Sequence, residues 1–482
     1  MGYKSLGEFI EAAEGIGDLK VIHGADLDLE VGCLTELSAE RDGPLLLFDR
    51  FKGFPADFRI ASNIYRSSRR RYALALGFPI DAHPVELVKM LRERRQAQKP
   101  MPPVEVGDGP VLGHILKGAD VDVGLFPAPK WHSGDGGRYI GTADIVIVRD
   151  PETGWINFGT YRACVQGRDR LSLWIIKHKR GRIIAEKYWS KGQACPIAVV
   201  LGCDPLTLMA ATSPAKYEQA GALHGAPVEV VKAPLTGLPI PAHAEIVFEG
   251  EMPPPEEETV PEGPFGEWPG YYSHSGQECV VRVKLIAHRS APILCGSPPL
   301  RPLLTWNEDL PINGVDFWDH LERSGISDIT GVWGHCNGLM VVIALKQRYP
   351  GHAMQALLAA AGLRRSASMY RHYVTVDEDI DPSNIRDVLW AMCTRVDPGT
   401  SVEIVRNAWT SDLDPRLTPA QKASGDYTMG RMLIDACKPY HWRDSFPKTN
   451  IFSPEERRQV SERWAKLLEE IEKSAKGKAA GK

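Results

Sequence analysis

The chain has 482 residues, 43% of them hydrophobic, and a formal net charge of −4. That length buries a large core and divides into two or three domains, and the near-neutral balance excludes the overall basic field that holds nucleic acid without sequence preference. No apolar run approaches the ~20 residues that span a bilayer, the nine cysteines include no CxxC pair, and "MGYKSLGEFIEAAEG" lacks the apolar core of a signal peptide; a soluble protein of the reducing cytoplasm is expected.

The first elements are mixed. Leu6, Phe9, Ile10, Ala13 and Ile16 recur at helical spacing, "PLLLFDRF" reads as a strand, and "PVELVKMLRERRQAQ" as a second helix. The prolines and glycines of "KPMPPVEVGDGP" can neither continue that helix nor join the middle of a sheet, which places a boundary near residue 115. Short apolar strands follow to about 300: "ADIVIVRD", "GWINFGTYRACVQG", "RLSLWIIKH", "PIAVVLG", "AEIVFEGEM" and "CVVRVKLIAHR". They predict a β-rich barrel or sandwich. Beyond 312, the helices "GVDFWDHLERSG", "HAMQALLAAAG" and "NIRDVLWAMCTRV" alternate with the strands "GLMVVIALK" and "HYVTVDED", predicting a second α/β domain. Ser453, Pro454 and Glu456 open a last helix with a capping box. Its stripe of Val460, Trp464, Leu467, Leu468 and Ile471 packs on its own domain or on a second subunit. The expected domains are 1–115, 116–311 and 312–452, with a terminal helix and tail at 453–482.

"PEGPFGEWPGYY" (261–272) sets Glu262 and Glu267 five positions apart in a run too rich in Gly and Pro for helix. Solvated acids on a surface turn are the plain explanation. Against it, Phe265, Trp268, Tyr271 and Tyr272 surround the acids with apolar surface, which raises a carboxyl pKa as a general acid requires. In "NFGTYRACVQGRDRL", Asn157 and Arg162 fall on opposite faces of a strand unless a bulge intervenes. Arg162 reads equally as a surface cation or as a clamp for a carboxylate. His178 in "WIIKHKRGR", Lys216 and Glu218 on the short helix of "SPAKYEQAGALHG", and the run Arg69, Arg70, Arg71 have ordinary structural or solvated readings. The glycines of "GDGG" (134–137) do not make a dinucleotide fingerprint.

Taken in order, Asn157 through Arg162, "GRDRL", "LGCDP", "AGALHG", "AEIVFEGE", "EGPFGE" and "VDEDIDP" resemble the UbiD-like decarboxylases, which use prenylated FMN. The seven segments span most of the chain. The resemblance implies a mixed α/β multidomain fold in which a central split β-barrel, related to flavin reductases, is flanked by α/β domains. It implies reversible, non-oxidative decarboxylation of an aromatic, heteroaromatic or α,β-unsaturated acid, which adds to an electrophilic iminium carbon of the flavin so that the adduct acts as an electron sink. A Glu–Arg–Glu network is implied at Glu262, Arg162 and Glu267. Glu267 protonates the carbon after carbon dioxide leaves, Arg162 orients the substrate carboxylate, and Glu262 holds Arg162.

The same resemblance puts flavin contacts at Asn157, Thr160, Tyr161, Arg162, Trp174, Ile175, Ile176, His178, Lys216 and Arg371. The family's manganese, with potassium nearby, maps to Asn157 and His178, but Lys216 stands where the third ligand is a glutamate. Glu218, two positions on, lies roughly 200° around a helix at ~100° per residue, and takes that place only with a different local backbone. A flavin prenyltransferase as cofactor supplier and a homodimer or higher oligomer are also implied. Two other readings stand beside this one: a redox or non-catalytic FMN-binding split-barrel protein, which needs no proton donor, and a glycosidase, which needs acids facing each other across a sugar cleft.

Overall fold

The computed structural model describes residues 2–177, 179–211, 216–301, 311–363 and 369–480. Residues 1–437 make one compact unit and 438–482 a second. In the first, the helix Leu6–Gly15 is capped by Ser5, whose Oγ accepts from Glu8 N at 3.2 Å, and it buries Leu6, Phe9, Ile10 and Ala13. This is the predicted stripe, closed off at Ile16. Arg71, expected to face water, is fully buried: it pairs with Asp18 at 2.8 Å and donates to the Gly43 carbonyl. Ion pairing and a carbonyl acceptor offset the desolvation that made exposure the default.

Among the described residues, four sheets carry the first unit. The N-terminal sheet runs Leu19–His23, Leu45–Asp49, Arg59–Ser62, Ile293–Gly296, so its last strand comes from far along the chain. The central sheet has ten strands, eight of them in the order Tyr139–Gly141, Ala163–Gly167, Arg170–Leu173, Gly276–His288, Ile246–Met252, Cys195–Leu201, Asp144–Arg149, Ile156–Gly159. The 13-residue strand Gly276–His288 also pairs with Thr259–Glu262 and His114–Lys117. The path has two ends, and among the described residues it does not close into a barrel. A three-stranded sheet joins Val104–Glu105, Glu229–Lys232 and Pro239–Pro241. The last sheet orders Ile329–His335, Met340–Leu345, His372–Asp377, Thr428–Asp435 and Val402–Trp409, with parallel central pairs and antiparallel edges. The helices Pro311–Arg323, His352–Gly362 and Ile385–Arg395 complete the predicted α/β alternation.

In the second unit the capping box forms as expected, with Ser453 accepting from Glu456 N at 3.3 Å and the Glu456 side chain returning to Ser453 N. The single predicted helix is two, Pro454–Arg463 and Ala465–Ala480, broken at Trp464 where φ is −112° and ψ 23°. Val460, Trp464, Leu467, Leu468 and Ile471 are all exposed.

Candidate active site

The predicted parity problem between Asn157 and Arg162 is resolved by a break. The strand Ile156–Gly159 ends before Thr160, and a new strand starts at Ala163. Arg162 therefore turns free of the alternation and is 8% exposed. Its Nε donates to Glu262 Oε1 at 2.8 Å and its Nη2 to Glu262 Oε2 at 2.7 Å, a two-pronged pairing, while Nη1 donates to Glu267 Oε1. The guanidinium lies 4.4 Å from the Trp174 ring centroid and 5.5 Å from that of Phe265. The planar fork suits paired carboxylates and aromatic faces together, a combination that lysine cannot offer.

The acids hang on the turn predicted to be non-helical. Glu262 ends the strand Thr259–Glu262. The chain then folds back, with Glu267 N donating to Tyr271 O at 2.9 Å and Ser273 N to Phe265 O at 2.9 Å. Gly263 has φ +81°, and a Cβ there would meet His274 O at 2.6 Å; a Cβ on Gly136 would meet Gly263 O at 2.1 Å. The "GDGG" loop is thus the bracket of the acid turn. Gly136 N donates to Pro264 O at 2.8 Å, Gly134 N to the Tyr272 hydroxyl at 3.1 Å, and Asp135 accepts from Gly266 N at 3.3 Å. Tyr139 adds a hydrogen bond of 2.7 Å from its hydroxyl to Glu262 Oε1, and its ring centroid lies 4.1 Å from that of Phe265.

Burial pushes the Glu267 carboxyl up to about 7, with Glu262 and Asp412 adding to the rise and Arg162 opposing it. Sequence reasoning missed four of these neighbours: Asp135, Tyr139, Asp412 and Glu278. Burial also pushes Glu278 up to about 7, with Glu262 and Asp412 contributing. The only sequence signal for Tyr139 and Asp135 was their adjacency to a glycine-rich loop.

Beside the network lies a cavity of about 180 Å³, bordered by Thr160, Trp268, Asn63, Tyr65, Arg66 and Asn337. Thr160 and Trp268 tie it in sequence to Arg162 and Glu267. Of the other predicted flavin contacts, Trp174 stacks on Arg162, Ile175 is buried, and the Tyr161 hydroxyl accepts from Gly181 N at 3.2 Å. Ile176 is half-buried next to them. Arg371 stands apart from Arg162's network: its Nη2 is held by Asp414 at 2.7 and 2.9 Å.

Among the described residues no cluster of three His, Cys, Asp or Glu side chains is found, and the predicted metal set cannot be assembled from them alone. His178 lies outside the described residues. Asn157 is fully buried, and neither of its amide atoms has a hydrogen-bond partner among the described residues; the Tyr161 hydroxyl approaches it without meeting hydrogen-bond geometry. Lys216 is buried, and the charges that act on it are those of Arg180 and Lys179, with Glu218 not among them. Of the expected ligands, the described residues thus show one buried amide, Asn157, and a lysine where the third was expected to be a glutamate, which is a poor donor set for a divalent ion by itself.

Comparison with known proteins covers nearly the whole chain. The models for the 3-octaprenyl-4-hydroxybenzoate carboxy-lyase N-terminal, Rift-related and C-terminal domains match residues 10–91, 103–302 and 311–436. A phenolic acid decarboxylase of Streptomyces sp. (strain D7) is 33% identical over 91% of this chain and 93% of its own length. The vanillic acid decarboxylase of Sedimentibacter hydroxybenzoicus in its open form superposes with a TM-score of 0.84 at 27% identity, over 98% of this chain and 100% of that one. The UbiD-class enzyme HmfF of Pelotomaculum thermopropionicum, solved in complex with FMN, gives a TM-score of 0.81 at 29% identity, over 94% of this chain and 98% of that one. No described helix is long and apolar enough to cross a membrane. With a buried Glu–Arg–Glu set at its centre and all three domain models matched in order, the chain belongs to the UbiD family and is a carboxy-lyase.

Proposed function

We propose that this enzyme catalyses reversible, non-oxidative decarboxylation of an aromatic, heteroaromatic or α,β-unsaturated carboxylic acid with prenylated FMN, and that Glu267, Arg162 and Glu262 are its catalytic residues. The observation that carries the reading is one guanidinium buried between two carboxylates, of which Glu267 is poised near neutrality. In this reading Thr160, which borders the cavity, and Tyr161, Trp174, Ile175 and Ile176, which follow it in sequence or pack beside Arg162, meet the flavin, and Asn157 with Lys216 offers polar groups to its phosphate. In this reading the central sheet is the split-barrel element that holds it. Bound there, the prenylated flavin supplies the electron sink for the pair left behind when carbon dioxide departs.

The side chains do the rest. With Glu267 protonated, Glu262 and Arg162 cancel, and the network no longer repels a substrate carboxylate. Arg162 keeps N–H groups beyond those bound to the two glutamates, and these orient that carboxylate at little entropic cost because Glu262, Trp174 and Phe265 fix the guanidinium. The proton on the Glu267 carboxyl is then given to the carbon that lost carbon dioxide, a role typically worth ~10² to 10⁴ in rate, about 3 to 5 kcal/mol of barrier. Manganese and potassium are given no step here, because Lys216 stands where the third ligand was expected to be a glutamate.

Co-expression with a flavin prenyltransferase tests the proposal. A modified-flavin spectrum with acid-dependent carbon dioxide release across a panel of small aromatic and unsaturated acids is expected. A flavin spectrum with no release from any acid would leave a non-catalytic flavin protein instead.

A further inference from the structure

Glu278 stands beside the Glu–Arg–Glu set and takes no part in its hydrogen bonds. The strand Thr259–Glu262 pairs antiparallel with Gly276–His288, which sets Val260 opposite Glu278 and Glu262 opposite Gly276. Directly paired residues share a face, as do residues two apart on one strand, so Glu262 and Glu278 project from the same side of the sheet as diagonal neighbours, roughly 7 Å apart. Gly276 leaves the position across from Glu262 without a side chain, and the Glu278 carboxyl leans over it: a Cβ on Gly276 would meet Glu278 Oε1 at 3.5 Å.

Among the described residues Glu278 forms no ion pair. Arg162 is committed to Glu262 and Glu267, and Arg182, on the helix Arg180–Trp189, to Glu186 at 3.0 Å. The charged groups that act on Glu278 are these two arginines, Glu262, and Asp412 from the C-terminal region, which also acts on Glu267. His274 is near as well, since a Cβ on Gly276 would meet its Cδ2 at 3.9 Å. Glu278 is half-buried. Burial raises its carboxyl to about 7, with Glu262 and Asp412 adding to the rise and Arg162 and Arg182 opposing it.

We infer that Glu278 is a positioning residue for the substrate: its negative charge weakens the hold of Arg162 on the substrate carboxylate and its neutral form restores that hold, so Glu278 sets the affinity for the acid and leaves proton transfer to Glu267. Arg162 and Glu262 cancel each other's charge. With Glu278 neutral, an incoming anion meets the N–H groups that Arg162 still has to offer; with Glu278 ionised, the same anion meets a like charge at close range. A partly screened like charge at that separation is expected to weaken binding about three- to tenfold. Glu278 carries its charge above about 7 and loses it below, so the weakening belongs to the alkaline side.

The inference rests on the decarboxylase reading above, and the experiment tells the two apart. Enzyme loaded with prenylated FMN is assayed at pH 6 and pH 8 for carbon dioxide release from an acid that it turns over, as wild type, Glu278→Gln and Glu278→Asp. Glu278→Gln, with an unchanged flavin spectrum as the check on folding, is expected to keep the wild-type KM at pH 6, to lower KM at pH 8 by about three- to tenfold, and to keep the decline of kcat that follows from Glu267. Glu278→Asp, which retains the charge, should retain the higher KM at pH 8. In the wild type the primary amide of the same acid, which carries no charge, should inhibit equally at both pH values. A KM at pH 8 that Glu278→Gln leaves unchanged, an effect of that variant confined to kcat, or an amide whose inhibition weakens at pH 8 as the binding of the acid does would overturn the inference and leave the decarboxylase reading standing. If the loaded wild type releases no carbon dioxide from any acid, the decarboxylase reading falls and the inference falls with it.

Discussion

Arg162 and Lys216 are buried to the same degree, at 8% and 7% exposure, yet they keep opposite company. Arg162 has two carboxylates on its guanidinium and two aromatic rings on its faces; Lys216 has the Ala211 carbonyl and the Phe158 ring within reach, and the charges that act on it are those of Arg180 and Lys179. A buried charge with its partners supplied by the chain is finished machinery, whose state changes by moving a proton within it. Lys216, with no ion pair among the described residues, is in the proposed function a group that meets the flavin phosphate. Removing a partner from the first should damage chemistry before binding, while changing the second should damage binding before chemistry.

The sharpest break in that contrast is Glu267→Gln. The amide keeps the shape but has no proton to give, so carbon dioxide release should drop by ~10² to 10⁴ while the flavin spectrum is retained; near-normal turnover would remove Glu267 from the mechanism. Glu262→Gln should cost less, on the order of tenfold, because it alters Arg162's anchor and not the donor. It should also move the pH profile. Activity needs protonated Glu267 and declines as pH rises through about 7. Removing the Glu262 charge takes away a neighbour that raises the Glu267 pKa and leaves Arg162 to stabilise the Glu267 carboxylate alone, so the decline should begin at lower pH. A decline shifted upward would reverse this assignment of roles.

Tyr139→Phe deletes one hydrogen bond onto Glu262 and should lower stability by about 1 kcal/mol, read from the urea midpoint, with only a small loss of turnover. The least effect on chemistry is expected from ending the chain after Phe452. Turnover per chain should hold, while light scattering should report a fall from dimer to monomer if the exposed faces at Val460, Trp464 and Ile471 meet a second copy. An unchanged size would mean that the terminal helices pack on their own chain.

How much of this could be read in advance depended on the range of the interaction. Arg162, Glu262 and Glu267 were legible because each sits in a short motif, and Gly and Pro excluded a helix across 261–272. Tyr139, which bonds to Glu262 from 123 positions away, and Asp412, which acts on Glu267 from the C-terminal region, carry no local mark of that contact. The glycines of "GDGG" make no dinucleotide fingerprint in the sequence, and their purpose as a bracket is visible only once Gly136 and Gly263 are seen backbone to backbone. Period-two reasoning put Asn157 and Arg162 on opposite faces, and the break after Gly159 removed the premise. At the terminus the helical stripe was right in residues and wrong in continuity, since Trp464 leaves helical geometry.

The N-terminal sheet has a consequence for how the chain is made. Arg59–Ser62 pairs in parallel with Ile293–Gly296, so while the ribosome is still producing the central region that edge stands open, its N–H and C=O groups in water. An open edge is where another nascent chain can add a strand, and domains that wait for distant segments pass through such exposed states. Synthesis stalled or cut before Ile293 should therefore yield material that associates edge to edge. The N-terminal third is expected to fold cleanly only when the chain beyond Gly296 is present in the same molecule.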